Sequence, residues 1–298
     1  MLIKRTDLAL EARELWQESA QRTTRLPGVK VTKTKREGYP VTRVDILDDR
    51  GAEALGKPRG SYLTIDLTAY WQRKEDFFDR AVRAVGSHLK ELSLPDGTAL
   101  VVGLGNRAMT PDAVGPLTLE NVLVTRHLLA AMPRQFAGFR PVAAFGTGVL
   151  GSTGVESAEA VRGLVEEVHP AFVIAVDALA SRRTGRVCAT VQLSDTGIVP
   201  GSGVGNHRFP LNQETLGVPV YVLGVPTVVD AVTLAADLLE EAGEPAVDEK
   251  KLRGEREQFM VTPRDIDQQV RELSKVLGYG INWALQDLEI AEMAALLG

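Results

Sequence analysis

The sequence predicts an α/β fold: a mostly parallel central sheet with helices on both faces, a three-layer sandwich, plus N-terminal strands and a helix. Three observations lead there. Apolar, Val-rich runs recur at 98–104, 140–145, 172–176, 188–193 and 218–225. Helical patterns follow several of them, at 112–132, 154–168 and 227–242. Continuous apolar strands separated by helices indicate a sheet buried on both faces. The chain has 298 residues, 44% hydrophobic and 24% charged, enough for one large core.

The elements follow in order. Residues 7–20 form an amphipathic pattern with Thr6 or Asp7 as its cap. "VTRVDIL" and "SYLTIDL" alternate as antiparallel or edge strands, with "DDRGAEALGKPRG" between them. Over 73–92, Phe77, Phe78, Val82, Val85, Leu89 and Leu92 recur at helical spacing. The stretch 244–258 is charged and aperiodic and reads as a surface linker. Residues 262–265 open a C-terminal helical region, expected to break near Gly278 and Gly280. The chain therefore reads as a single domain over 1–298. It has an N-terminal elaboration over 1–95, a core over 98–242, and a linker over 244–260 ahead of the C-terminal helices.

Composition excludes several function classes. A net charge of −5 provides no global field toward nucleic acid. Cys188 is the single cysteine, so intramolecular disulfides and cysteine-based zinc sites are excluded. Charges by the fourth residue argue against a signal peptide. No run approaches the ~18 apolar residues of a membrane span. The expectation is a cytoplasmic protein with no membrane and no direct nucleic-acid partner.

The stretch "VVGLGNRAMTPDAVGP" (101–116) admits three readings. Gly103, Gly105 and Ala108 fit a dinucleotide fingerprint, but Pro111 falls where that helix should be in its second turn. The next strand also ends "AAFGTGVLG", with no carboxylate for a ribose. Thr110-Pro111-Asp112 equally makes a good helix start. A second residue shifts the balance. Asp177 in "FVIAVDALASR" is expected at the carboxyl end of a central strand, where an ionised carboxylate is costly unless paired or used. Crevices of open α/β sheets lie at that edge, and Asp112 belongs to the same edge. Two converging carboxylates suit acid–base work on water or joint metal ligation.

Other candidates surround them. The loop "SDTGIVPGSGVGNHR" (194–208) is rich in glycine, and its backbone N–H groups, at Gly201, Ser202 and Gly203, are oxyanion or substrate-binding candidates. Pro200 replaces the first glycine of a nucleophile elbow around Ser202, so a serine triad is not expected. Arg182, Arg183 and Arg186 follow Asp177, either as a solvated basic turn or as a receptor for acidic substrate groups; Arg182 and Arg186 are retained as substrate-binding candidates. His88 and His127 sit in helical runs and His169 ends a helix, leaving His207 as the histidine in the site loop.

The runs "VVGLGN", "TPDAVGP", "NVLVTRHL", "STGVESAE", "VIAVDALASR", "SDTGIVPGSGVGN" and "GVPTVVDAV", with "RTDLALEA" and "MVTPRDID" near the ends, resemble the germination protease family over nearly the whole chain. The resemblance implies an endopeptidase that begins the breakdown of small acid-soluble spore proteins during germination. It implies a zymogen, a homotetramer located in the forespore and spore core, and a phosphorylase/hydrolase-like core shared with hydrogenase-maturation endopeptidases. By motif the family's proposed catalytic aspartates fall on Asp112 and Asp177, making 98–242 the catalytic core. Only four residues precede Arg5, and the segment before "MVTP" is short, so removal of a long propeptide and a lobe at that segment are not expected. The mechanism expected is an aspartate pair activating water, with no cofactor. Two alternatives stand beside it: a metal-dependent endopeptidase with a divalent transition metal on Asp112, Asp177 and His207, and a non-catalytic spore-protein binder.

Overall fold

The computed structural model describes residues 6–19, 26–201, 208–243 and 259–298. It opens with α1 (Ala9–Ser19), then β1 (Val29–Arg36), β2 (Tyr39–Ile46), α2 (Asp49–Leu55), β3 (Gly60–Asp66) and α3 (Phe77–Glu91). The centre comprises β4 (Ala99–Gly103), α4 (Val114–Leu119), α5 (Arg126–Ala131), β5 (Val142–Gly146), α6 (Leu150–Thr153), α7 (Ser157–Val168) and β6 (Phe172–Ser181). There follow β7 (Thr190–Ser194), α8 (Gln213–Leu216), β8 (Val220–Asp230), α9 (Ala231–Glu241), β9 (Met260–Val261), α10 (Ile266–Leu285) and α11 (Ile290–Leu297).

These strands form one mixed sheet in the order β1-β2-β3-β7-β8-β6-β4-β5, with β9 added to β8. The expected parallel centre is present: β5, β4, β6 and β8 run parallel. The N-terminal strands continue the same sheet antiparallel through β7, which lies between β3 and β8. The antiparallel share is therefore larger than the sequence suggested. Strand β1 was not read from the sequence, because "VKVTKTKR" is mostly exposed and offers no apolar rhythm. Its lysines suit a sheet edge, where charge discourages pairing with other chains.

Helices cover both faces. Val85 of α3, Val114 of α4, and Val270 and Leu277 of α10 pack in one cluster with Val101, Ile174, Val176 and Leu223 of the sheet. On the opposite face Val161 and Val165 of α7 join Leu100, Val102, Val173 and Ala175. A third cluster seats Ala9 of α1 and Leu55 of α2 among Val44, Ile46 and Tyr62. Each fully buried aliphatic side chain contributes roughly 1.5–3 kcal/mol. No helix of the described residues is long and apolar enough to cross a membrane.

Three helix expectations change. The span 112–132 divides into a 3-10 turn (Thr110–Asp112), α4 and α5. The span 227–242 begins as strand, since β8 runs to Asp230, whose carboxylate accepts the Thr233 N–H (2.9 Å) and starts α9. The C-terminal helix does not break at its glycines. A Cβ on Gly278 would lie 2.5 Å from the Cβ of Asn121, and one on Gly280 would lie 2.9 Å from Val85. They are contact points that let α10 approach its neighbours closely. The linker expected over 244–258 lies outside the described residues.

Candidate active site

Asp177 owes its position to an unequal ending of strand pairings. Pairing of β4 with β6 stops at Gly103 and Val176, while β6 goes on with β8 through Ser181. Asp177 is thus not the end of its strand, as the sequence suggested, but the first residue beyond its β4 neighbour. The crevice opens where β4 leaves.

Asp112 reaches this crevice through the turn after β4. The Leu104 N–H donates to the Val176 carbonyl (2.8 Å), holding the start of the turn beside β6. Gly105 has a φ of 103°, and a Cβ there would sit 2.1 Å from the Asp112 carbonyl oxygen. The Asn106 N–H donates to both the Asp112 carbonyl (3.0 Å) and its Oδ2 (2.8 Å). Thr227 Oγ1 of β8 donates to the Pro111 carbonyl (2.7 Å), and Thr110 Oγ1 donates to Asp267 Oδ1 of α10 (2.7 Å). The fingerprint-like glycine therefore clears space for the Asp112 turn instead of cradling a phosphate.

Both carboxylates line one cavity of about 790 Å³, together with Asp7, Lys57, Tyr62 and Arg208. Asp177 is 5% exposed. Burial pushes its carboxyl well above the usual range, and the charge of Asp112 pushes it further, against the opposing Ala178 N–H and Arg208. Burial also raises Asp112, but the Asn106 N–H and Arg208 counter it. Like charges sharing a buried site disfavour ionisation of both groups at once. The structure brings the two carboxylates to the wall of one cavity, and each feels the charge of Arg208.

The other expectations divide. Gly201 lines the cavity, whereas Ser202, Gly203 and His207 lie outside the described residues. Arg182 and Arg186 are corrected: neither lines the cavity. Arg182 bonds Asp237 of α9 (2.8 Å) and Glu18 of α1 (2.7 Å), and Arg186 bonds Glu14 (2.6 Å) and Glu11 (3.0 Å) of α1. Planar guanidinium forks satisfied by carboxylates of α1 and α9 clamp those helices to the sheet. Among the described residues no three His, Cys, Asp or Glu side chains are grouped to hold a metal. Cys188 is buried, its thiol pushed up to about 12 by desolvation, in keeping with an inert residue.

The sequence reading missed Asp7, Lys57, Tyr62 and Arg208 as cavity residues. The sequence offers Thr6 or Asp7 as a helix cap; in the fold the Asp7 carboxylate accepts the N–H of Ala180 (2.8 Å), 173 residues away. Burial lowers the Lys57 ammonium, against the nearby charges of Asp7 and Glu11, and burial pushes Tyr62 up to about 12. Local periodicity carries no signal for such distant contacts. The one available clue was that Asp7 lies in the N-terminal motif "RTDLALEA".

A family model described as germination protease matches residues 9–244. A germination protease of Caldanaerobacter subterraneus subsp. tengcongensis is 44% identical, over 98% of each chain. One from Clostridium perfringens is 43% identical over 97% of each chain. One from Bacillus cytotoxicus is 46% identical over 79% of this chain and 66% of its own. Among solved structures, a NiFe hydrogenase maturation protease from Thermococcus kodakarensis is 16% identical, with a TM-score of 0.35, over 65% of this chain and 99% of its own.

Proposed function

The chain belongs to the germination protease family and is a peptidase, and we propose that it cuts small acid-soluble spore proteins with Asp112 and Asp177 acting on one water. One observation carries this reading: Asp177 is buried in the cavity, and its acidity is weakened first by that burial and then by the charge of Asp112. A stability-driven design would pair a buried carboxylate with a cation or leave it out.

The environments suggest which residue holds the proton. Asp112 accepts the Asn106 N–H at Oδ2 and is raised less strongly than Asp177. Asp112 is then the base: it takes a proton from water as the oxygen attacks the scissile carbonyl carbon. Asp177, protonated, donates a hydrogen bond to the carbonyl oxygen as negative charge develops there. Collapse of the tetrahedral intermediate breaks the C–N bond, and the proton held by Asp112 passes to the departing amine. Backbone around Gly201 supports the oxyanion from the loop side. In this reading no metal takes part, and the enzyme works in the forespore and spore core as a homotetramer.

The test is incubation of the full chain with a purified small acid-soluble spore protein, with and without chelator, alongside Asp112→Asn and Asp177→Asn. Cleavage by wild type in chelator, and none by either variant, is expected. Full activity in a variant removes that residue from the mechanism. Loss in chelator that one added transition metal restores, and that His207→Ala abolishes, replaces the proposal with metal catalysis. Binding without cleavage by wild type reduces the protein to a binder.

A further inference from the structure

The edge of β6 beyond Asp177 points to how the substrate backbone is held. Val173 donates its N–H to the Pro219 carbonyl on the β8 side (2.9 Å), while the Val176 carbonyl accepts Leu104 on the β4 side (2.8 Å). In a parallel ladder, successive residues turn their peptide groups to opposite neighbours. Ala178 and Ala180 therefore face the side that β4 has left.

Ala180 is already occupied there. Asp7 donates its N–H to the Ala180 carbonyl (2.9 Å) and accepts the Ala180 N–H at Oδ2 (2.8 Å). Gln192 Nε2 donates to the Asp7 carbonyl (3.2 Å), and Gln192 Oε1 accepts the Ala9 N–H (2.8 Å), fixing this short segment against β7. The open edge at Ala180 thus takes one backbone bond and one carboxylate bond from Asp7, which lies in a bend. Between the Leu104 bond and the Asp7 bond one residue remains, Ala178. Its N–H donates to Asp177 Oδ1 (2.9 Å), and it lines the cavity. Among the described residues no donor to its carbonyl oxygen is found outside the β6–β8 ladder, whose bonds fall to the residues on either side of it.

We infer that the scissile segment of the substrate lies extended across this gap, between Leu104-Gly105 and Asp7, and donates one backbone N–H to the Ala178 carbonyl oxygen. Addition of a chain to an exposed strand edge gives affinity through main-chain bonds and is indifferent to side chains. A single bond beside Asp177 sets the neighbouring peptide carbon within reach of both carboxylates. Asp7 acts as the stop that limits the gap to one residue. The inference rests on the proposed peptidase site and adds to it the conformation and anchor of the substrate.

The test uses the full chain and synthetic peptides spanning a cleavage site of a small acid-soluble spore protein. In each peptide one amide N–H near the scissile bond is replaced by an ester oxygen. One ester position is expected to raise KM about tenfold, the size of one hydrogen bond to backbone, with its neighbours changing it less than about twofold. In Asp177→Asn, used to prevent turnover, the unmodified peptide is expected to shift the carbonyl 13C resonance of Ala178, and the sensitive ester is expected not to. Equal tolerance of all esters overturns the inference, as does an Ala178 resonance that stays unmoved with bound peptide. The two failures are distinguishable, because esters are scanned on wild type: absence of any cleavage defeats the peptidase reading, whereas cleavage with uniform ester tolerance defeats only the docking.

Discussion

Strand β6 meets two buried carboxylates, and they differ in every respect except burial. Near its middle, Asp177 is 5% exposed, bonds the adjacent Ala178 N–H, and lies near the like charges of Asp112 and Asp7, opposed only weakly by Arg208. Beyond its end, Glu11 of α1 is 0% exposed and saturated. It accepts from Ser181 Oγ (2.9 Å), the Arg182 N–H (2.6 Å), the Arg183 N–H (3.1 Å) and Arg186 Nη1 (3.0 Å), as well as from Thr6 Oγ1. Full satisfaction is how a buried charge holds a fold together; deprivation is how one becomes reactive. Burial of an acid is thus no marker of function by itself. The company it keeps decides.

The comparison breaks first at activity. Asp177→Asn keeps shape and removes the ionisable group, so turnover is expected to fall by about 10²–10⁴-fold, with the unfolding temperature held or raised. A variant that loses activity together with its fold would place Asp177 in the same class as Glu11. The opposite pattern is expected for Glu11→Ala. Stripping one carboxylate from so many donors is expected to lower stability by about 3–5 kcal/mol, read from the denaturant midpoint. A loss below roughly 1 kcal/mol would show the cluster to be ornamental, as exposed ion pairs often are.

The same contrast explains what the sequence revealed. Asp112 and Asp177 were legible because each follows an apolar run, and an acid at the edge of a buried strand is conspicuous. Glu11 was not, since in an amphipathic helix one more acid looks like solvated surface. The arginines misled for the same reason: Arg182 and Arg186 stand close to Asp177 in sequence but serve α1 and α9 in space. The Val-rich strands were legible from composition. Strand β1 and the continuity of α10 were not, because one depends on an edge position and the other on glycines used as contacts. Periodicity reports which face is buried, not against what.

A smaller effect concerns Asp112, the second carboxylate of the proposed pair. Gly105→Ala adds a Cβ at a φ of 103°, 2.1 Å from the Asp112 carbonyl oxygen. Relief requires the Asp112 turn to shift, at a strain of about 1–3 kcal/mol. The expected result is reduced kcat with a smaller loss of stability than in Glu11→Ala. Unchanged kcat would mean that the position of Asp112 within the cavity tolerates displacement.

The smallest effect, and the most diagnostic of deprivation, is the dependence of stability on pH. The folded-state acidity of Asp177 is weakened, first by burial and then by Asp112. At pH below the ordinary carboxylate range the residue is protonated in both the folded and unfolded chain, and its contribution to stability is fully present. As pH rises, the unfolded chain ionises while the fold retains the proton, so stability falls until pH passes the raised folded value. One proton sets the limit at about 1.4 kcal/mol per pH unit. Asp177→Asn removes this fall. The stability of the variant relative to wild type is therefore expected to grow as pH climbs through and above the carboxylate range, then level off. Denaturant titrations at a series of pH values measure it. A flat difference would mean that the fold leaves the acidity of Asp177 unchanged, and one that shrinks with rising pH would mean that it is ionised and paired, a second Glu11.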